Sequence, residues 1–296
     1  MSVPSFLSYL ALERKYSAHT VTAYKADLEE WTLFCFKEFS LDDVDIANYS
    51  LIRSWIVLLV DSKVSNRTIN RKIASLKAYY KFLLRIGRIS SSPLAKHTAL
   101  KTTKKVEIPF SELEMEAVLQ ESTYTHDFEG TRDKLIVALL YTSGMRRAEM
   151  INLKMVHVDF SSMTLKVLGK RNKERILPLL ESTQELFTAY FVFRDALECI
   201  KDGEYVFLSK AGNKIYEILV YRIINRYFSK VSSKVKKSPH ILRHTFATHL
   251  LNKGADLNSV KELLGHSSLA STQVYIHNSI AELKKVHFTS HPRNKK

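Results

Sequence analysis

Residues 65–86 read SNRTINRKIASLKAYYKFLLRI. Ile69, Ile73, Leu76, Tyr80 and Leu83 recur there at three- and four-residue intervals, the period of one helix face. Ser65 or Asn66 suits the N-cap, and Gly87 supplies the stop. Lys77, Lys81, Arg85 and Arg88 follow one another on a different face, and Arg67, Arg71 and Lys72 cluster near the start. A helix with an apolar stripe on one side and cations on another suits a phosphate backbone. A membrane-surface helix shows the same pattern. Here the stripe is ordinary core material, because further helical patterns flank it.

Working outward, Ser17–Phe39 places Val21, Tyr24, Leu28, Trp31 and Phe34/Cys35 at helical spacing, with Ser17 or Thr20 as its cap. Residues 89–108 (ISSSPLAKHTALKTTKKVEI) lose apolar periodicity and fill with Ser, Thr, Pro and Lys. The reading is a helical domain over 1–90, a linker over 91–108 and a second domain over 109–296. The second domain opens on Ser111 with a capping box to Glu114. Arg132–Tyr141 reads as an apolar helix ended by Ser143-Gly144. Residues 162–179 alternate as a β-hairpin around Gly-Lys-Arg-Asn-Lys, and Tyr205–Leu208 suggests a short strand. Helical patterns then resume to about Lys285. The fold class is mainly α with a small antiparallel sheet.

Composition narrows the function classes. The chain has 296 residues, enough for about two domains. Gly (8) and Pro (6) are too scarce for a loop-rich all-β chain. The apolar run Trp55–Val60 is far shorter than the ~20 residues of a membrane span. The N-terminus lacks the pattern of a secretory signal. Two cysteines, Cys35 and Cys199, cannot build a disulfide framework, so a reducing, cytoplasmic compartment is expected. The net charge of +15 points to a polyanionic partner. Residues 63–105 concentrate that charge, with 12 basic side chains and no acidic one, whereas residues 1–62 carry 5 basic and 9 acidic.

Four clusters in the second domain are candidates for chemistry. Arg146, in Gly144-Met145-Arg146-Arg147-Ala148-Glu149, falls at a turn-to-helix junction suited to an anion; a pair with Glu149 is the ordinary explanation. Lys170 occupies the hairpin turn, where a lysine is usually just solvated. In Ser238-Pro239-His240-Ile241-Leu242-Arg243-His244, Ser238 suits the N-cap and Pro239 the first helical position. His240 and Arg243 then share the first turn. The His240/His244 spacing also occurs in zinc sites, but no His-Glu-x-x-His motif or cysteine pair supports a metal. Finally, His266 lies in Leu264-Gly265-His266-Ser267-Ser268 and Tyr275 in Ser271-Thr272-Gln273-Val274-Tyr275. Taken together, arginines, lysine, histidines and a tyrosine are what metal-free phosphoryl transfer requires.

These motifs, in this order and spacing, resemble the tyrosine site-specific recombinases, and most nearly the Xer type. The resemblance covers nearly the whole chain. It implies a SAM-like helical core-binding domain followed by a catalytic domain with a C-terminal tail, residues 276–296. It implies that Tyr275 attacks the scissile phosphodiester, forming a 3′-phosphotyrosyl link. Arg146 and Arg243 would clamp the non-bridging oxygens, and Lys170 would protonate the leaving 5′ oxygen. His240 would assist proton transfer and His266 would bond the phosphate. No cofactor, nucleotide or metal is implied. Thr20, Tyr24, Arg67 and Arg71 match the DNA-contacting helices, and the charge pattern adds Lys72, Lys77 and Lys81. Arg171 stands where glycine is usual and is a further DNA-contact candidate; Ile276 stands where threonine is common.

The partners so implied are double-stranded DNA with inverted half-sites and a recombinase tetramer on two duplexes. A second recombinase or a DNA translocase would fit the same scheme, and no membrane is involved. The expected role is resolution of chromosome dimers at cell division. A phage or mobile-element integrase shares the chemistry, though the short chain leaves no room for an arm-binding domain. A type IB topoisomerase fits the two-domain layout poorly. A non-catalytic DNA-binding relative would leave at least one of the six positions inert.

Overall fold

The computed structural model describes residues 2–102, 107–169, 174–265 and 286–294. The chain divides into two compact units, Met1–Lys105 and Val106–Lys296.

The first unit is helical: α1 (Val3–Ser8), a π-helical turn at Tyr9–Glu13, α2 (Ala18–Phe39), α3 (Tyr49–Asp61) and α4 (Asn66–Arg85). Ser17, Asn48 and Ser65 each accept the backbone N–H three residues on, which closes the starts of α2, α3 and α4. Thr20 and Asn66 are therefore not the caps. The apolar stripe of α4, Ile69, Ile73, Leu76, Tyr80 and Leu83, is buried against Phe6, Leu28, Trp31 and Trp55. Each such side chain contributes about 1.5–3 kcal/mol by leaving water.

Charge also fastens this unit. Buried Asp27 of α2 accepts Arg71 Nη1 at 2.5 Å and Ser75 Oγ at 2.7 Å, both from α4. Lys72 Nζ lies 3.5 Å from Asp27 and 2.5 Å from Glu30. Arg88 reaches Asp43 and Asp45, and buried Asp45 also receives the Tyr79 hydroxyl. Part of the basic run is thus neutralised by the acidic residues that precede it. The stretch read as a linker is fastened as well. Leu94 is buried in the same core. The Asn70 amide bonds both the N–H and the carbonyl of Leu100, and Asn66 bonds the Lys101 carbonyl. Such a segment packs through its backbone, which hydrophobic periodicity does not register.

The second unit is built around α6 (Phe128–Ser143), in which every residue from Arg132 to Ser143 is buried. The helix begins before Arg132 because the Asp127 carboxylate accepts the Gly130 N–H at 2.7 Å. Arg132 is tolerated inside because Nε and Nη2 both bond Asp133, at 2.9 and 2.8 Å. Around α6 lie α5 (Glu112–Leu119), α7 (Arg147–Ile151), α8 (Glu181–Asp195), α9 (Glu217–Val231), α10 (Pro239–Asn252) and α11 (Leu257–Leu264). The Ser111–Glu114 capping box opens α5.

The hairpin strands are β2 (Thr164–Leu168) and β3 (Glu174–Pro178); a two-residue β1 (Val158–Asp159) extends the antiparallel sheet in the order β1-β2-β3. Val167 pairs with Arg175 and Leu165 with Leu177. Tyr205–Leu208 makes only isolated bridges, Lys154 to Tyr205 and Leu208 to Lys214, not a strand. Residues 286–290 form a helical turn whose His287 is fully buried. No helix among the described residues is long and apolar enough to cross a membrane.

Candidate active site

The site is assembled where α6 ends, α7 begins and α11 stops. Gly144 terminates α6 in the left-handed conformation, φ 60°. A Cβ at this position would lie 2.3 Å from the Phe246 ring of α10, so both the backbone and the neighbour require glycine. The turn delivers Arg146 to the N-cap of α7, in extended backbone. There its N–H donates to Glu149 Oε2 at 2.7 Å and its Nη1 to Glu149 Oε1 at 2.8 Å. Gly265, with φ 62°, ends α11 and exposes that helix's last carbonyls.

Three arginines converge on those carbonyls. Arg146 Nη2 donates to Gly265 O at 3.1 Å, Arg243 Nη2 to Leu264 O at 2.5 Å, and Arg175 Nε to Leu263 O at 3.0 Å. A helix C-terminus carries partial negative charge, which favours this arrangement. Arg243 Nη1 also donates to Gly144 O at 2.6 Å. Among the described residues one acid, Glu149, serves the cluster, which leaves two of the three arginine charges in excess there. Burial first, then Arg146 and Arg175, push the Arg243 guanidinium down to about 10, still protonated at neutral pH. Burial opposes ionisation of Glu149, but its bonds from Arg175 and Arg146 outweigh that and hold the carboxyl below the usual range.

This arrangement is suited to an anion whose charge grows during reaction. Arg146 keeps about a quarter of its side chain exposed, and among the described residues neither Arg146 nor Arg243 finds partners for all five guanidinium donors. Fixed cations directed at a phosphoryl group stabilise its transition state without reorganising. Among the described residues no three His, Cys, Asp or Glu side chains converge as a metal site would require.

Of the six expected catalytic residues, the structure brings Arg146 and Arg243 together and places His240 exposed in the first turn of α10. Pro239 occupies the first turn as expected; Ser238 holds the N-cap position, but its hydroxyl makes no cap bond. Lys170, His266 and Tyr275 lie outside the described residues, as do Arg171 and residues 276–285 of the expected tail.

In the first unit, Arg67, Arg71, Lys77 and Lys81 lie on the exposed side of α4. Arg71 shares its charge with Asp27, and Lys77 donates to the His97 carbonyl. Lys72 is a correction to the sequence reading. It is buried, 8% exposed, and its ammonium lies between Asp27 and Glu30, so it packs the unit together and does not face a phosphate. Arg85 and Arg88 are likewise engaged, Arg85 with Tyr9 and Glu13, Arg88 with Asp43 and Asp45. Thr20 bonds Ser17, and Tyr24 is half-buried beside Phe6 and Tyr16.

Arg175 is a site residue that the sequence reading misses. A signal for it exists: in β3, Glu174 and Ile176 are exposed while Arg175 and Leu177 point inward. An arginine on the inward phase of a strand calls for a carboxylate.

An arginine cluster of this kind is suited to holding a phosphoryl group. Residues 109–282 match the phage integrase family, and residues 3–87 match its N-terminal SAM-like domain. The chain belongs to the phage integrase family and is a Xer-type tyrosine recombinase, an enzyme that cleaves and rejoins DNA. It is 39% identical to the tyrosine recombinase XerC of Chlorobaculum parvum, covering 97% of this chain and 93% of the relative. It is 36% identical to XerC of Anoxybacillus flavithermus, covering 97% and 96%. The fold resembles that of the XerH recombinase bound to its palindromic difH substrate, with TM-score 0.72, 21% identity and coverage of 93% and 81%. It also resembles the Tn1549 transposon integrase in complex with circular intermediate DNA, with TM-score 0.68, 20% identity and coverage of 95% and 98%.

Proposed function

We propose that the chain recombines duplex DNA at inverted half-sites and resolves chromosome dimers at cell division in the cytoplasm. The observation that carries this reading is the convergence of Arg146 and Arg243 on adjacent carbonyls at the end of α11. Both cations thereby face one place, where a scissile phosphate would be neutralised. Tyr275 is the nucleophile. Its hydroxyl oxygen bonds to phosphorus, the 5′ oxygen leaves with a proton from Lys170, and the 3′-phosphotyrosyl bond retains the energy for rejoining. His240 assists the tyrosine's proton transfer, and His266 bonds the phosphate. The first domain, 1–90, grips the duplex through Arg67, Arg71, Lys77 and Lys81, and the second, 109–296, carries the chemistry. Four copies act on two duplexes. Relatives that carry the XerC name, matched over nearly their whole length, support the chromosomal role.

Covalent capture tests the proposal. The protein is mixed with fragmented host DNA and denatured, and DNA that remains attached is sequenced. The expected result is an adduct that Tyr275→Phe abolishes, at one chromosomal site near the replication terminus. A site at the boundary of a mobile element would assign the chain to integration. Salt-sensitive binding with no adduct, unchanged by Tyr275→Phe, would overturn catalysis.

A further inference from the structure

Glu149 is almost fully buried, with 3% of its side chain exposed, and each of its oxygens accepts one bond from Arg146 and one from Arg175. Arg175 Nη1 meets Oε1 at 2.7 Å and Nη2 meets Oε2 at 2.8 Å, a two-pronged pair. Its third nitrogen is bonded to Leu263 O, so no guanidinium nitrogen of Arg175 stands idle. Four bonds fill the capacity of a carboxylate. Gly265 completes the seat: a Cβ there would come within 3.1 Å of the Arg175 side chain.

We infer that Arg175 is a positioning residue for Arg146, acting through Glu149; this rests on the reading that Arg146 binds the scissile phosphate. Glu149 alone would be a strong competitor for Arg146, because a buried carboxylate with one cation holds that cation inward. Arg175 takes half of the acceptor sites and supplies a second positive charge. Arg146 then stays oriented by Glu149 without being neutralised by it. Arg175 also links three elements: its strand β3, the end of α11, and α7 through Glu149. In the chain, Lys170 falls between β2 and β3 and His266 follows Gly265, so the elements that Arg175 links adjoin in sequence two further catalytic candidates besides Arg146. Lysine cannot replace the planar fork.

Two measurements test this. The first needs no DNA. Hydrogen exchange is compared between the wild type, Arg175→Lys and Arg175→Ala. Faster exchange confined to residues 146–151 and 263–265 is expected in both variants; unchanged exchange there overturns the inference. The second uses a duplex recovered by the capture experiment. At saturating DNA, adduct formation by Arg175→Ala should fall by about tenfold or more, less than removal of Arg146 itself costs, with DNA affinity unchanged. A matched duplex whose scissile phosphate carries a methylphosphonate has one fewer charge for Arg146 to neutralise. The deficit should shrink on that duplex, and Glu149→Gln combined with Arg175→Ala should cost less than the two single effects together. An equal deficit on both duplexes, or one seen only in affinity, overturns the role. Failure of the wild type to form any adduct would instead refute the recombinase reading, and the exchange result would still decide whether Arg175 fixes Arg146.

Discussion

Arg243 donates to the carbonyl oxygen of Gly144 at 2.6 Å, two residues before Arg146 in the chain. The bond ties α10 to the turn that aims the other arginine. Phe246, three residues along α10 from Arg243, closes over the same glycine. Two catalytic candidates far apart in sequence are thereby held by one turn.

Gly144→Ala should therefore be costly. The new Cβ meets a left-handed backbone and the Phe246 ring at 2.3 Å. Strain and overpacking together predict a loss of about 1–3 kcal/mol. Thermal unfolding should show this as roughly 2–4 °C for each kcal/mol. Adduct formation should fall further than stability alone explains, because Arg146 shifts with the turn. A variant as stable and active as the wild type would contradict this account of the turn.

Removing either arginine should affect chemistry more than binding. Arg146→Ala or Arg243→Ala is expected to slow adduct formation by about 10²–10³-fold, the scale of one missing transition-state donor. Arg243→Ala should also destabilise the fold, since it leaves the Gly144 and Leu264 carbonyls without their donor. Arg146→Ala should do so less, because part of its side chain is exposed. Single-turnover rates and gel-shift affinities, measured together, separate the two effects.

The first unit distinguishes cations that face outward from those turned inward. Arg67 and Lys81 are exposed on α4. Alanine at either should weaken DNA binding and reduce the log–log salt slope by about 0.9 for each phosphate no longer neutralised. Lys72→Met should leave the slope unchanged and lower stability instead, because Asp27 and Glu30 lose a shared cation. Binding titrations across a salt series, alongside urea unfolding, would show whether the two classes separate in this way.

Acid should release the C-terminal segment. His287 Nε2 donates to Thr142 O at 2.5 Å and His291 Nε2 to Tyr141 O at 3.3 Å, so both rings cap the last carbonyls of α6. Phe246, Tyr141, His249 and Arg293 surround them, and among the described residues no carboxylate is bonded to either ring. Burial pushes His287 down to about 4 from the ordinary 6.5 and moves His291 in the same direction. The undocked segment thus takes up protons first. Its docking is fully stable above pH 6.5 and is lost as the pH falls from 6.5 toward 4. Hydrogen exchange of residues 286–294, corrected for intrinsic rates, should rise between pH 7 and pH 5. A flat profile would refute this.

Much of the fold was legible because helices announce themselves locally. The starts of α2 and α4 were narrowed to Ser17 or Thr20 and to Ser65 or Asn66, and that of α5 to Ser111; the hydroxyls of the three serines satisfy backbone groups three residues away. The hairpin followed from alternation, which puts Leu165, Val167 and Leu177 inside. What failed to show was structure without a period. The strap of residues 94–101 is held by the side chains of Asn66 and Asn70, and β1 is only two residues long. Neither leaves a pattern.

The same division holds for the site. Residue order and type alone determined the family, the two-unit layout, a helical fold and a concentrated positive charge. They did so because motif spacing, helix period and charge are properties of the chain itself. Only the tertiary structure decided that Lys72 faces two carboxylates and not solvent, that Arg175 shares Glu149 with Arg146, and that His287 caps α6 from 145 residues away. Each of those facts depends on which group satisfies a buried charge or an unpaired carbonyl. That partner is chosen by packing, not by proximity in the sequence.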